Sequence, residues 1–478
     1  LPSDTSLYPR LRRPGPPPAA GPPRRVLAFE TEVARVQWDR TRNRDRNATY
    51  NPAALADLQA RTPGFQWAAY LSAAGLPAVD SVIVRQPDYF NAVDALLAAT
   101  PVDDVKAYLS AHLLDGAAPY LSRSFRDANF AFRSRVLRGQ EQDRPRWQAG
   151  VAVVEGALGE AVGKLYVQRH FPPESKAGME ELVANLMAAY REAIDELEWM
   201  SPATKAQAQA KLASFTVKIA YPDEWEDYSA LEIRPDDLFG NLRRTAAFEY
   251  ADRIGRLGKP VDRTEWGMTP QTVNAYYNSV NNEIVFPAAI LQPPFYNPNA
   301  DDAVNYGAIG AVIGHEISHG FDDQGRKSDG EGNLRDWWTA EDAAAFEQRA
   351  TMLAEQFSAF EPLPGARVNG RLTLGENIGD VSGVAVAHRA YRKSLGDREA
   401  PVIGGYTGDQ RFFLGYAQVW RTMYRDQALR QMVLTDSHSP GMYRTNGVLA
   451  NLPAFYEAFG VRAGDGMYLP PERRVKIW

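Results

Sequence analysis

The sequence predicts a mainly α-helical chain with small β elements, organised as two lobes. Three observations predict it. The 478 residues are 45% hydrophobic and 23% charged, an ordinary globular balance at a length beyond a single core. Apolar residues recur at helical spacing over much of Val26 to about Asp236. Alternating runs interrupt that pattern only briefly, at Phe215–Tyr221 and again between Val273 and Pro287.

Composition also excludes whole classes of function. A net charge of −6 gives no basic surface for nucleic acid or acidic membrane. The chain has no cysteine, so disulfides and thiolate chemistry are out, and any metal falls to histidine and carboxylates. No run of about eighteen apolar residues predicts a membrane span, and no basic-then-apolar leader opens the sequence. It starts on Leu1 rather than methionine, so the compartment stays open.

The elements follow in order. Residues 1–25 form an arm whose stretch PGPPPAAGPPRR (14–25) reads as extended and disordered, because proline removes backbone donors and fixes φ. Residues 26–237 are expected to form a helical lobe, with helices around 88–99, 151–169 and 202–214. Leu182, Leu186, Ala189, Tyr190, Ala193 and Leu197 mark another helix face, and Ser201-Pro202 caps the helix that follows. Phe215–Tyr221 (FTVKIAY) alternates as a strand. Residues 238–478 are expected to form the second lobe. Val273–Tyr277 and Glu283–Pro287 flank a polar turn and predict a hairpin. A small-residue helix comes next, then a Gly- and Asp-rich loop at 320–333.

The chemistry concentrates in HEISH, residues 315–319. Positions i and i+4 share one helix face, so the imidazoles of His315 and His319 can reach one ion. The preceding run GAIGAVIG is apolar and free of proline, which places the motif on a buried helix rather than a solvated one. A catalytic zinc takes three protein ligands and keeps a position open for water, and a carboxylate beside the ligands can serve as general base. Glu316 is that carboxylate. Glu376, in LGENIGDVSG, is the expected third ligand. Gly375, Gly379 and Gly383 fall on every fourth position, as Gly310 and Gly314 do on the first helix. Each helical glycine costs about 1 kcal/mol relative to alanine, and a close approach of the two helices accounts for that cost. Asp380, one turn after Glu376, is placed to accept the second N–H of a ligand histidine. Asp322 is a weaker candidate for the same task, and Asp302 and Asp323 read as loop residues.

The blocks VNAYYN (273–278), EIVFPAAILQPPFY (283–296), VIGHEISHGFDDQGR (312–326), GENIGDVSG (375–383), AQVWR (417–421) and DSHSPGMYRTNG (436–447), with the terminal Trp478, resemble the neprilysin family of zinc metallopeptidases. That family includes the endothelin-converting enzymes and bacterial oligopeptidases, and the resemblance covers nearly all of 26–478. It implies a helical covering domain (26–237) over a thermolysin-like zinc catalytic domain (238–478), one Zn2+ per chain, and peptide substrates without nucleic acid. It implies His315, His319 and Glu376 as ligands, Glu316 as base, Asp380 as the residue orienting a ligand histidine and His438 as stabiliser of the oxyanion. Asn274 and Ala275 match residues that pair with substrate main chain, and Arg444 matches one that hydrogen-bonds a substrate carbonyl. Ile290, Phe295, Val312, Val419 and Trp420 match the apolar pocket for the residue after the cut bond. His112, His170 and His388 match no family motif and are expected to be structural.

The expected activity is that of a zinc endopeptidase for small peptides, cutting on the amino side of hydrophobic residues. The alternatives are a peptide-binding protein of the same fold with impaired catalysis, or another zinc hydrolase such as an aminopeptidase. An extracytoplasmic location (periplasmic, cell-envelope or secreted) follows from the resemblance alone, with a cytoplasmic one as the alternative. Two departures stand out. Family members carry a longer N-terminal region where this chain has its proline-rich arm, and the missing disulfides look like the bacterial branch.

Overall fold

Residues 21–478 are described by a computed structural model. Most of the described residues are helical, and among them are five short strands: β1 (Pro52–Ala54), β2 (Ser81–Ile83), β3 (Thr216–Ala220), β4 (Tyr276–Asn278) and β5 (Glu283–Pro287). The chain divides into two compact units. One takes the described residues up to Arg146, with Ser229–Pro260 and Arg425–Ala428; the other takes Trp147–Tyr228, Val261–Tyr424 and Leu429–Trp478.

The first unit gathers the helices Pro22–Val36, Pro87–Ala99, Val102–Ala117 and Leu238–Gly255, with β1 and β2 paired antiparallel. Residues 1–20 of the expected disordered arm lie outside the described residues. Its last part is a correction: Pro22–Arg25 opens a helix, with proline at the first positions. There the lost N–H has no intrahelical partner to lose, and the fixed φ already suits the helix. Arg25 then pairs with Asp104 at 2.6 Å.

The second unit carries the HEISH motif. Its helices include α1 (Pro173–Asp195), α2 (Pro202–Ala213), α3 (Ala311–His319), α4 (Leu374–Leu395), α5 (Gly408–Val419) and α6 (Gly441–Leu449). Leu182, Leu186, Tyr190 and Ile194 of α1 share one buried core with Ile309, Ile313 and Ile317. The division therefore differs from an expected break between 237 and 238: Trp147–Tyr228 packs with HEISH, and Ser229–Pro260 packs with the N-terminal helices. The stretch 151–169 is also two helices, broken at Leu158 before Gly159. Ser201 caps α2 as expected, accepting from the Thr204 N–H.

The sheet has the order β3-β5-β4, with β3 parallel and β4 antiparallel to β5. The hairpin forms, but its first strand is Tyr276–Asn278 rather than Val273–Tyr277. Asn278 pairs with Glu283, and the same register would set Asn274 against Pro287. Proline has no N–H to offer the ladder, so pairing stops short of Asn274.

Candidate active site

Two helices build the site, and glycine lets them touch. A Cβ on Gly314 would lie 2.6 Å from the Gly383 carbonyl oxygen, and one on Gly379 would lie 2.8 Å from His315 Nδ1. A Cβ on Gly383 would lie 2.4 Å from the His315 backbone nitrogen. Gly310 lies outside this contact, since its nearest neighbour would be at 3.5 Å on its own helix. The approach sets α4 against the first histidine and brings Glu376 to both rings. His315 Nε2 and His319 Nε2 are 2.9 Å apart, and Glu376 Oε2 lies 3.3 Å from the first and 3.6 Å from the second.

This triangle fits a cation. Tetrahedral zinc bonds of about 2.0–2.1 Å imply donor-to-donor edges of about 3.3 Å, in the range of the three separations. Glu376 Oε2 is buried and accepts no properly directed hydrogen bond, although imidazole nitrogens surround it. Two neutral imidazoles and a carboxylate are donors suited to zinc.

Each histidine has a carboxylate behind it. His319 Nδ1 is 2.8 Å from Asp322 Oδ2. His315 Nδ1 is 2.8 Å from Asp380 Oδ1, a close contact that lacks straight hydrogen-bond geometry. Asp380 also accepts from Arg444 Nε and Nη2, each at 2.7 Å. The Arg444 guanidinium lies flat over Trp420, 3.7 Å from the ring centroid. Asp322 is therefore at least as close a partner as Asp380, and the sequence ranked it too low. Its loop is fastened by Lys211 of α2, whose ammonium donates to the carbonyls of Gly320, Gly325 and Ser328 at 2.6, 2.8 and 2.8 Å.

Burial and charge set the ionisation of these groups. Burial pushes the Glu316 carboxyl up, and His315 and His319 only partly offset it. Burial works the same way on Glu376, but the charge of His319 first, and the nearness of the His315 and His438 rings after it, outweigh burial and hold that carboxyl well below the usual range. Burial would lower the His438 imidazole, yet Asp436 and Glu376 carry it up to about 9. His438 Nδ1 is 2.8 Å from Asp436 Oδ1, and Nε2 is 3.1 Å from Glu376 Oε2.

A cavity of about 630 Å³ opens over these groups. It is lined by Asn274, Ala275, Ile290, Phe295, Val312, His315, Glu316, His319, Glu376, Asp380, Val419, Trp420, His438 and Arg444, all expected from the sequence, while Asp322 is not among its lining residues. Glu316 is 5% exposed. Asn274 and Ala275 lie just before β4, an edge of the sheet. His112 and His388 are not among the cavity's lining residues; they meet Glu30 and Asp409.

The comparisons with known proteins match this geometry. Models of peptidase family M13 match residues 16–222 and 274–475. A crystal structure of the zinc metalloprotease ZMP1 of Mycobacterium tuberculosis, in complex with an inhibitor, superposes with a TM-score of 0.93 at 49% identity. The match covers 96% of this chain and 70% of that one. This chain belongs to peptidase family M13, the neprilysin family. A second structure, PEPO of Lactobacillus rhamnosis, superposes with a TM-score of 0.86 at 33% identity, covering 96% of this chain and 71% of that one. Endothelin-converting enzyme 1 of Mus musculus is 34% identical over 471 residues, 95% of this chain. The chain spans 60% of that relative's length.

Three residues of this M13 site escaped the sequence argument. Lys211 reads as a surface lysine on a helix. Asp436 has no signal of its own within DSHSP, though an aspartate two residues before a histidine can take the backbone N–H of an Asx turn, and Asp436 accepts from His438 N at 2.9 Å. Asn377, next to Glu376, had no visible partner.

Proposed function

We propose that this chain is a zinc endopeptidase that hydrolyses internal bonds of small peptides on the amino side of bulky hydrophobic residues. The observation that carries it is one cavity holding both the His315–His319–Glu376 triangle and the Glu316 carboxylate. Zinc, when bound there, supplies a Lewis acid for the substrate carbonyl and makes a bound water more acidic.

The chain's own residues do the rest. Glu316 makes no hydrogen bond to protein among the described residues and is placed to take the proton of the attacking water, then deliver it to the leaving nitrogen. His438 offers Nε2 to the oxygen that gains charge in the transition state. Arg444 spends Nε and Nη2 on Asp380, which leaves Nη1 for a substrate carbonyl. The backbone of Asn274 and Ala275, beside an edge strand, suits an extended peptide. Ile290, Phe295, Val312, Val419 and Trp420 give the cavity an apolar wall for the residue after the cut bond.

The test is Glu316→Gln. It should keep zinc and lose cleavage of a fluorogenic peptide by about 10²–10⁴-fold; undiminished turnover removes the proposed base. Cleavage of an N-blocked peptide separates an endopeptidase from an aminopeptidase. Tight peptide binding without cleavage at any zinc level would favour the impaired, peptide-binding alternative. An extracytoplasmic location accompanies the proposal and is checked by cell fractionation. No helix among the described residues is long and apolar enough to cross a membrane.

A further inference from the structure

We infer that the buried hydrogen bond between Ser439 and Asn377 is a positioning device that holds His438 at its working distance from the metal ligands. The inference rests on the oxyanion role given to His438 above.

The His438 side chain is 42% exposed, so packing alone does not fix it. Asp436 grips its backbone nitrogen and Nδ1. Asp436 belongs to the same loop, so it sets the rotation of the ring and not the distance of the loop from α4. That distance is set by the next residue. Ser439 is fully buried and donates from Oγ to Asn377 Oδ1 at 2.8 Å. Asn377 is fully buried as well; its Nδ2 donates to Thr373 Oγ1 at 2.9 Å, and Thr373 Oγ1 donates to the Asn369 carbonyl at 3.2 Å. The chain of hydrogen bonds ends on the backbone, so the acceptor is held rigidly.

Asn377 follows the ligand Glu376 directly. One turn farther on, Asp380 clamps Arg444, which lies on α6 just beyond Ser439. Positions i and i+3 of α4 face the same way, so the segment His438–Arg444 is stapled to the helix of the glutamate ligand at two points. A single clamp would leave the segment free to pivot, and the second removes that freedom. The residue types support direction rather than adhesion. Asparagine is a poor helix former, and an unpaired amide in a core is costly. An apolar pair would pack as well but would not fix the register of the two elements.

The test uses Ser439→Ala and Ser439→Cys in the full chain, with Ser439→Thr as the variant that keeps the hydroxyl. Alanine removes the donor, and cysteine nearly preserves volume while donating weakly. Zinc content and melting temperature are measured first, then cleavage of a fluorogenic peptide, then affinity for a phosphinic peptide that mimics the tetrahedral transition state. The expected result is zinc content as in the unsubstituted protein, KM within about twofold, and kcat down roughly 10- to 100-fold. Affinity for the phosphinic peptide should fall in proportion, and threonine should restore both. If the unsubstituted protein cleaves nothing, the proposed function fails, but the phosphinic peptide still reads the position of His438. Equal affinity in all variants overturns the inference, as does a loss confined to KM. Loss of cooperative melting in both the alanine and cysteine variants would make the bond a general structural one and overturn it too.

Discussion

Adding one methyl group at Gly383 should cost the protein its zinc, although glycine-to-alanine changes in helices usually stabilise. The usual gain is about 1 kcal/mol. At Gly383 the new Cβ would lie 2.4 Å from the His315 nitrogen and 2.8 Å from the Ala311 carbonyl oxygen, where ordinary contact begins at 3.4 Å. Both neighbours are backbone, so no side chain can rotate away. Relief requires α3 and α4 to part by about 1 Å. Overpacking of this kind costs about 1–3 kcal/mol, enough to cancel or exceed the propensity gain and lower the melting temperature by a few degrees. The larger effect falls on the metal. Ligand distances tolerate about 0.2 Å, and Glu376 rides on the helix that must move. A loss of about 100-fold in zinc affinity follows, the upper end of what disturbed supporting contacts cost. The assay is competition with a chromogenic zinc chelator, alongside calorimetric melting. Gly310→Ala is the internal control, because its Cβ would meet nothing nearer than 3.5 Å; it should keep zinc and melt at or above the unsubstituted protein. Unchanged zinc affinity in Gly383→Ala would refute the close-approach argument.

Three other outcomes follow from the same contacts. Asp322→Asn should weaken zinc binding about 10-fold by lowering the basicity of His319, read by the same chelator competition; no change would leave Asp380 as the only carboxylate that matters. Lys211→Met leaves the carbonyls of Gly320, Gly325 and Ser328 without their ammonium, and should destabilise by about 3 kcal/mol in urea unfolding; a shift under about 0.5 kcal/mol would show the loop is held elsewhere. Phe295→Ala should cut kcat/KM for peptides with leucine or phenylalanine after the cut bond by about 10- to 200-fold, while peptides with alanine there change little. Equal losses on both peptide sets would move the specificity pocket away from this wall.

The site was legible where its information is local, and the fold was legible where periodicity is long. HEISH places two candidate ligands by helical spacing alone, and α1 shows its buried face over five positions, with Leu197 just past its end. Glu376 was legible for a different reason: glycines at 379 and 383 announce a neighbour that cannot tolerate side chains. Gly310 matches the same spacing and serves no such contact, so periodicity marks a stripe without saying how far it extends. The β1–β2 pair was invisible because three-residue strands have no alternation to detect. Pro22 and Pro23 were misjudged because proline breaks a helix interior but starts a helix well. Lys211, Asn377 and Ser439 take their importance from partners distant in sequence, and a lysine that will meet three carbonyls reads no differently from one that will meet water. The boundary between units was obscured for the same reason, since α1 and α2 precede the hairpin yet pack around the motif that follows it.

The claim on which the account depends is that Glu376 completes the ion site begun by two imidazoles on α3. The direct measurement is zinc stoichiometry and affinity of the purified chain and of Glu376→Ala, by metal analysis with chelator competition. The account predicts one zinc per chain, and binding weakened by at least about 100-fold in the variant with its melting otherwise cooperative. A variant that still held one zinc at undiminished affinity would contradict it.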